Sequence, residues 1–556
     1  MKRAWLLALG VAACGRPSDE PADGSPPAET ERPLFVEVAR ERGLDFAITS
    51  GAAPPTQILE VKGGGIALFD RLGDGDFDLF LPNGATLDAP FAGPGARVFE
   101  IEKGLRFTDV TDVRDVDDTP FRRWSMGAAA GDLDGDGLDD LVVCTYGEDA
   151  VLLQTPDGRL AARRQHHTAI SGATFSSGAA LGDLDRDGDL DVYITRYVAF
   201  EHDAPPPPTE FLGLEVFGGP AGLPAIDDRL GRNVFQSNAD EGQELLPGFE
   251  AVGQSGLDSV DARHGLGAVI LDLDEDGWLD IYVGNDSMAD FALFGLGDMR
   301  FEERATKVGL ATNGNGSEQA TMGIAIADVN RDGAPDLFTT NFVQDTNTLR
   351  LSTDTGRWRD GSLASGLGAV SRPFCGWSTG FADFDLDGTD DLLVFNGHVY
   401  PDHVAQRLGS SRAQAPLLFR GQGKRFERVS GIPALEQAGC YRGAAFGDLD
   451  ADGDVDVITT DICGPVRVLQ NTTNRPEASV VVTLANTALL GTRVTLVAGE
   501  RHHSHWLASG LGYQSSSAPQ AVFALDADET AVLEIKRPSL PVERIDVAAG
   551  ARVRID

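Results

Sequence analysis

The sequence predicts an all-β protein: a seven-bladed β-propeller with a small β domain after it. Three observations carry that prediction. A nine-residue pattern, D-x-D-x-D-G-x-x-D, recurs seven times. Its copies start 62, 51, 89, 56, 55 and 65 residues apart, a period that belongs to propellers and arrays rather than to one compact αβ domain. The flanks alternate as strands do, as in SMGAAAGDL before the second copy and DDLVVCTY after it.

The repeat asks for calcium. That ion takes six to eight oxygen ligands, and acids at positions 1, 3 and 5 converge on one point only if the chain curls around it. Glycine at position 6 permits the sharp turn, and the acid at position 9 would complete the shell. The second copy, 132–140, supplies Asp132, Asp134, Asp136 and Asp140. The third, 183–191, supplies Asp183, Asp185, Asp187 and Asp191; the fourth, 272–280, supplies Asp272, Asp274, Asp276 and Asp280. The sixth, 383–391, offers Asp383, Asp385, Asp387 and Asp391, and the seventh, 448–456, offers Asp448, Asp450, Asp452 and Asp456. Two copies depart from the pattern. The first, 70–78, keeps Asp70, Asp74 and Asp78 but has Leu72 at position 3, so weak or no binding is expected there. The fifth, 328–336, has Asn330 between Asp328, Asp332 and Asp336, a tolerated neutral ligand. Empty, such loops would repel themselves by about 1 to 4 kcal/mol per close acid pair.

An EF-hand is excluded. It needs a bidentate Glu at position 12 and flanking helices, and position 12 here holds Leu81, Val143, Ile194, Val283, Thr339, Val394 and Thr459.

A second motif interleaves with the first: an aromatic residue, usually Val three residues on, then Gly-Leu or Gly-Ile. Copies begin at Phe35, Phe249, Phe301, Trp358 and Phe426, with a partial one at Phe107. None follows the seventh loop, and a spare copy precedes the first. The N-terminal strand is therefore expected to complete the last blade, hiding sheet edges.

Outside the repeats, residues 1–13 read as an export signal: Lys2 and Arg3, then the apolar stretch AWLLALG. VAAC resembles a bacterial lipobox, which implies cleavage before Cys14 and a lipid on its thiol. Gly15 lacks the Asp that retains some lipoproteins in the inner membrane, so the outer membrane is favoured. Residues 14–33 are Pro-, Ser- and acid-rich and read as a disordered tether. The membrane is expected to be met only through that anchor. The net charge of -40 disfavours nucleic acid, although 32 of the 86 acids lie in the seven loops and serve a local purpose. Four cysteines remain after Cys14. Cys440 and Cys463 flank one predicted hairpin loop almost symmetrically, which favours that disulfide over buried thiols.

These residues resemble the FG-GAP/VCBS repeat, the blade unit of integrin-alpha-type propellers with calcium loops. GGGIALFDRLGDGDFDLFLPNGA, SMGAAAGDLDGDGLDDLVV and FNGHVYPD are similar to the cartilage-acidic-protein family and its bacterial relatives, which carry an ASPIC/UnbV domain at the C-terminus. Residues 491–556 resemble that domain through GTRVTLVAG, SGLGYQSSS, FALD and IKRPS. The resemblance implies a propeller over 34–475, an ASPIC/UnbV-like domain over 478–556, and calcium binding without catalysis. The tail departs from the usual pattern at FALD, where FGLG is common, and at Lys536-Arg537-Pro538, where a Trp-Pro pair is common.

Three further features invite a role. The stretch between the third and fourth loops, around 200–248, is too long for one blade and could bind a partner. His398, Tyr400, Asp402 and His403 could be ligands or an acid–base pair, against a structural strand end. His502, His503 and His505 could bind a transition metal, with His503 and His505 sharing a face if on a strand, against an exposed polar strand. No catalytic motif with its context appears. The function expected is an exported calcium-binding lipoprotein that binds a protein or glycan at the cell envelope. An extracellular enzyme acting on polysaccharide and a purely structural envelope protein are the alternatives.

Overall fold

Every acidic nonapeptide is the turn of a β-hairpin. In each copy the preceding strand ends on the residue before position 1 and the next strand begins at position 9, as in Trp124–Gly131 with Asp140–Gly147 and Gly376–Ala382 with Asp391–Asn396. The computed structural model describes residues 34–111, 119–163, 174–211, 213–234 and 248–556. The leader, Cys14, the tether and residues 235–247 of the long insertion lie outside the described residues.

Two more strands extend each hairpin, and the pairings group into seven four-stranded antiparallel sets among the described residues. The second and third sets are linked through Thr174 and Phe175. The last set takes its outer strand from the start of the chain: Phe35–Glu37 pairs with Arg467–Asn471. The closure expected from the spare aromatic motif is present, and the fold is a propeller built of such sheets.

Residue choice follows position in each set. First strands are rich in small residues, as in GAAAG at 127–131, because the sheets crowd together at their inner edges. Second strands are buried on both faces, as DLVVCTYG at 140–147 is throughout, and so read as continuous apolar runs. Outer strands bury one face: Arg357–Asp360 buries Trp358 and exposes its neighbours. The glycine of the second motif joins neighbouring sheets. Gly256 and Gly309 are left-handed (φ 95° and 88°), and a Cβ there would lie 2.2 and 2.3 Å from the carbonyl oxygens of Phe301 and Trp358, the aromatics of the next set. Only glycine permits both the turn and the approach.

The C-terminal segment forms two sheets. Ser479–Leu484 lies between Gln520–Ala524 and Arg552–Ile555, the latter pairing in parallel. Thr492–Ala498 lies between Arg501–Leu507 and Thr530–Lys536, with Glu543–Ala548 at the edge. Val480, Leu496, Phe523 and Leu533 share one apolar core, which runs on into the propeller at Val142 and Val192.

From this domain the segment SGLGYQSSSA, 509–518, reaches the first strand of every set. Ser516 exchanges backbone hydrogen bonds with Ile66 and Leu68 (2.7 and 2.9 Å), and Gly512 does so with Ile324 (2.7 and 2.9 Å). Ser509 Oγ accepts from Leu181 N, Ser509 O accepts from Ile270 N, and Ala518 N donates to Phe446 O. Ser378 Oγ accepts from Tyr513 N. A Cβ on Gly127 would meet Gln514 O at 2.3 Å. Tyr513 is fully buried, edge-on to Trp377 at 4.7 Å, with Arg442 over the same indole at 3.9 Å. The sequence gives little sign of this plug, because its contacts are made by backbone and by small side chains that carry no pattern of their own.

The described part of the insertion contributes the hairpin Thr209–Phe211 and Leu214–Val216 and the third set's third strand, Arg229–Asn233. Phe211 and Phe217 pack on Tyr400 at 5.8 and 5.0 Å. A disulfide joins Cys440 and Cys463, while Cys144 and Cys375 are buried free thiols.

Candidate metal centres

The acidic loops repeat one geometry. The position 1 carboxylate caps the turn: Asp183 accepts from Asp187 N and Gly188 N, and Asp383 from Asp387 N and Gly388 N. Position 5 accepts from the amide of position 7, as Asp136 does from Leu138 and Asp387 from Thr389. Position 6 is glycine at φ 86° to 97° in all seven loops, Gly333 and Gly188 marking the ends of that range. Position 4 is left-handed as well, and in five loops it is not glycine: Arg186, Glu275, Arg331, Leu386 and Ala451 sit at φ 52° to 67°. That conformation costs about 1–2 kcal/mol for a residue with a Cβ, so the loops are held against a local preference.

Position 9 has a second task. Asp140 accepts from Leu133 N and Gln154 N, and Asp280 from Leu273 N and Gly295 N, so each ties its loop to the third strand. A carboxylate has about four lone-pair sites, so two amides leave room for a cation.

Position 3 decides whether the residues fit an ion. Asp185 pairs with Arg232 at 2.8 Å, Asp385 with Arg420 at 2.7 Å, and Asp450 accepts from Gln470 at 2.8 Å, each through Oδ2. The Oδ1 of all three is buried without a hydrogen-bond donor, as is Oδ1 of Asp272 at position 1. Ligand oxygens of Asp132, Asp134 and Asp136 lie within 4.8 Å of one another, and so do those of Asp183, Asp185 and Asp191 and of Asp272, Asp274 and Asp276. Burial, reinforced by neighbouring carboxylates, pushes Asp183 and Asp272 up to about 6, Asp383 to about 7, and Asp191 and Asp391 to about 8. A cation in their midst inverts that cost. These residues fit a hard, oxygen-seeking ion.

The first loop is built differently. Leu72 is exposed, and Arg71 turns inward, its Nε 2.6 Å from Asp78 and its Nη2 3.1 Å from Glu100. Burial raises Asp78 to about 6, with Arg71 opposing. In the fifth loop Asn330 N donates to Asp336, whose other oxygen takes Ser352 N and Oγ.

The C-terminal domain docks on these loops. Arg552 pairs with Asp448 at 2.6 Å, Thr487 Oγ1 accepts from Asp132 N, and Ser539 Oγ donates to Gly277 O. Arg493 reaches Glu275 and Gly333 O. Position 8, not singled out in the sequence, matters twice. Asp139 accepts from Asp70 N at 2.8 Å, tying the first two loops together. Asp390 turns to the tail, its Oδ1 2.9 Å from His503 Nε2 and 3.5 Å from His505 Nε2. His503 and His505 do share a strand face, and His502 is exposed on the other.

The motif around His398 is not assembled as an acid–base pair. His398 is buried and accepts from Tyr400 N, and burial drops it to about 4. Asp402 instead accepts from Arg412 N.

A propeller of repeated acidic hairpins, followed by a small two-sheet domain, is the class of protein this architecture defines. The FG-GAP-like repeat pattern matches residues 132–194 and 272–339, and the ASPIC and UnbV pattern matches 483–556. The chain is similar along most of its length to cartilage acidic protein 1: it is 24% identical to the Homo sapiens protein over 549 residues, covering 93% of this chain and 75% of that one. With the Mus musculus protein the identity is 23% over 536 residues, covering 91% and 75%. Among solved structures, a Pseudomonas aeruginosa periplasmic gluconolactonase matches with TM-score 0.40 and 13% identity, covering 74% of this chain and 88% of that one. An Agrocybe aegerita lectin that recognises non-reducing terminal N-acetylglucosamine matches with TM-score 0.38 and 15% identity, covering 69% and 90%.

Proposed function

We propose that the protein is an exported calcium-binding propeller that presents a rigid surface to a protein or glycan at the cell envelope. The observation that carries this reading is the buried, donorless Oδ1 at position 3 of three separate loops, Asp185, Asp385 and Asp450. Leaving such an oxygen unpaired costs about 1–3 kcal/mol or more, and a cation removes the cost. Positions 1, 3, 5 and 9 would hold calcium, whose chemistry is to bind oxygen and fix the loop. Loop one, with Leu72 at position 3, would hold it weakly or not at all, and loop five, with the neutral Asn330 there, less tightly than the other five.

Calcium sites of this extracellular type bind with Kd of roughly 0.1 to 1 mM. At about 1 mM calcium the tighter end stabilises by about 1.4 kcal/mol per site. Five sites reach about 7 kcal/mol, comparable to the whole stability of a typical domain, about 5–15 kcal/mol. Chelation is therefore expected to lower the melting temperature markedly; superimposable melting curves in calcium and in excess chelator would contradict the proposal.

The leader sequence supports export and a lipid on Cys14, tested by mass spectrometry of the mature N-terminus. The described residues include no helix long and apolar enough to cross a membrane. A polar cleft of about 260 Å³ beside the insertion, lined by Tyr193, Asp228, Asp261 and Arg263, supports a binding role for that side. Capture of a partner or glycan by the lipid-free, calcium-loaded chain, lost on substitution of Asp261 and Arg263, is the test of that role.

A further inference from the structure

We propose that Asp390, His503 and His505 form a transition-metal site of the zinc class that staples the C-terminal domain to the sixth loop. One ligand comes from the propeller and two from the tail, 113 positions apart for Asp390 and His503. The site exists only when the two parts are docked.

The donor set selects the metal. Two imidazole nitrogens and one carboxylate suit zinc or its neighbours, whereas calcium demands a shell of oxygens. Bonds of about 2.0–2.1 Å place tetrahedral ligand atoms roughly 3.3 Å apart. The two Nε2–Oδ1 distances, 2.9 and 3.5 Å, bracket that value, and all three ligand atoms lie within 4.8 Å of one another. The side chains are 7%, 13% and 14% exposed for Asp390, His503 and His505.

A plain hydrogen-bonded cluster accounts for the site poorly. His503 bonds Asp390, but His505 Nε2 is buried with no hydrogen-bond partner. Both rings stand edge-on to Phe523, at 5.4 and 4.9 Å, which holds them in place beforehand. His505 also lines a cavity of about 90 Å³ with Ser517 and Gln520, room enough for water beside that ring. When the ion enters, the proton shared by His503 and Asp390 leaves to solvent and the three lone pairs turn to the metal. Asp390 stands at position 8, so it is not among the acids proposed for calcium, and the site does not rest on the calcium reading.

The test is a zinc titration of the full chain in saturating calcium, which occupies the acidic loops, with cobalt as a spectroscopic stand-in. A single high-affinity zinc per chain is expected, with a cobalt absorption band of tetrahedral intensity. Both are lost, with affinity falling at least about tenfold, in His505→Ala and His503→Ala, and kept in His502→Ala. Should either alanine variant fail to fold, His505→Gln, which preserves size and polarity, takes its place. No zinc binding by the parent chain in calcium, or binding undiminished in the His503 and His505 variants, overturns the proposal.

Discussion

The first and sixth loops share a backbone and differ in what holds it. Both turn through glycine at position 6, φ 90° at Gly75 and 88° at Gly388, and both begin their second strand with the position 9 aspartate. In the sixth, Asp385 leaves a buried oxygen without a donor; in the first, Leu72 faces solvent and Arg71 brings its own positive charge to Asp78. The first loop carries its cation covalently on Arg71; the sixth, whose Asp385 pairs with Arg420 through Oδ2 alone, is the one proposed to receive an ion. On the calcium reading proposed above, these two turns meet their need for positive charge in two ways.

The largest test of the difference is Arg71→Met. It strands a buried carboxylate, and unfolding measurements should show a loss of about 3–5 kcal/mol with calcium present or absent. Rescue by calcium would mean that the first loop is an ion site after all. Next comes Asp385→Asn, which should remove about 1 kcal/mol of calcium-dependent stability, at most one site's worth, and cost little in chelator, where the wild-type acids repel one another. Ala451→Gly relieves a left-handed alanine at position 4 of the seventh loop and should stabilise the chain by about 0.5–1 kcal/mol, most visibly in chelator. Smallest is Leu72→Asp: with Arg71 still paired, the calcium-induced shift should change by less than about 0.5 kcal/mol. A gain as large as one full site would erase the distinction between the loops.

Much of this was legible in the sequence because the acidic turn fixes residue type at each offset. Asp132, Asp134, Asp136 and Gly137 announce a turn whatever surrounds it, and the spare aromatic at Phe35 announces ring closure. The face shared by His503 and His505 followed from strand parity alone. Their partner Asp390 did not, since it depends on how two distant segments dock. The plug was illegible for a similar reason: Gly512 and Ser516 act through their backbones, and a hydrogen-bonded glycine looks like any turn. The double role of position 9 was hidden too, since Asp140 serves as ligand candidate and strand tie with the same two oxygens. Arg71 stood in plain view at position 2, but only its inward turn distinguishes it from a solvated arginine.

Anomalous diffraction from crystals of the full chain grown in calcium tests the central claim most directly. The account predicts ion peaks inside 132–140, 183–191, 272–280, 383–391 and 448–456, each touching the position 3 carboxylate, and none inside 70–78. Loops without density, their carboxylates spread apart and each satisfied by water, would contradict it.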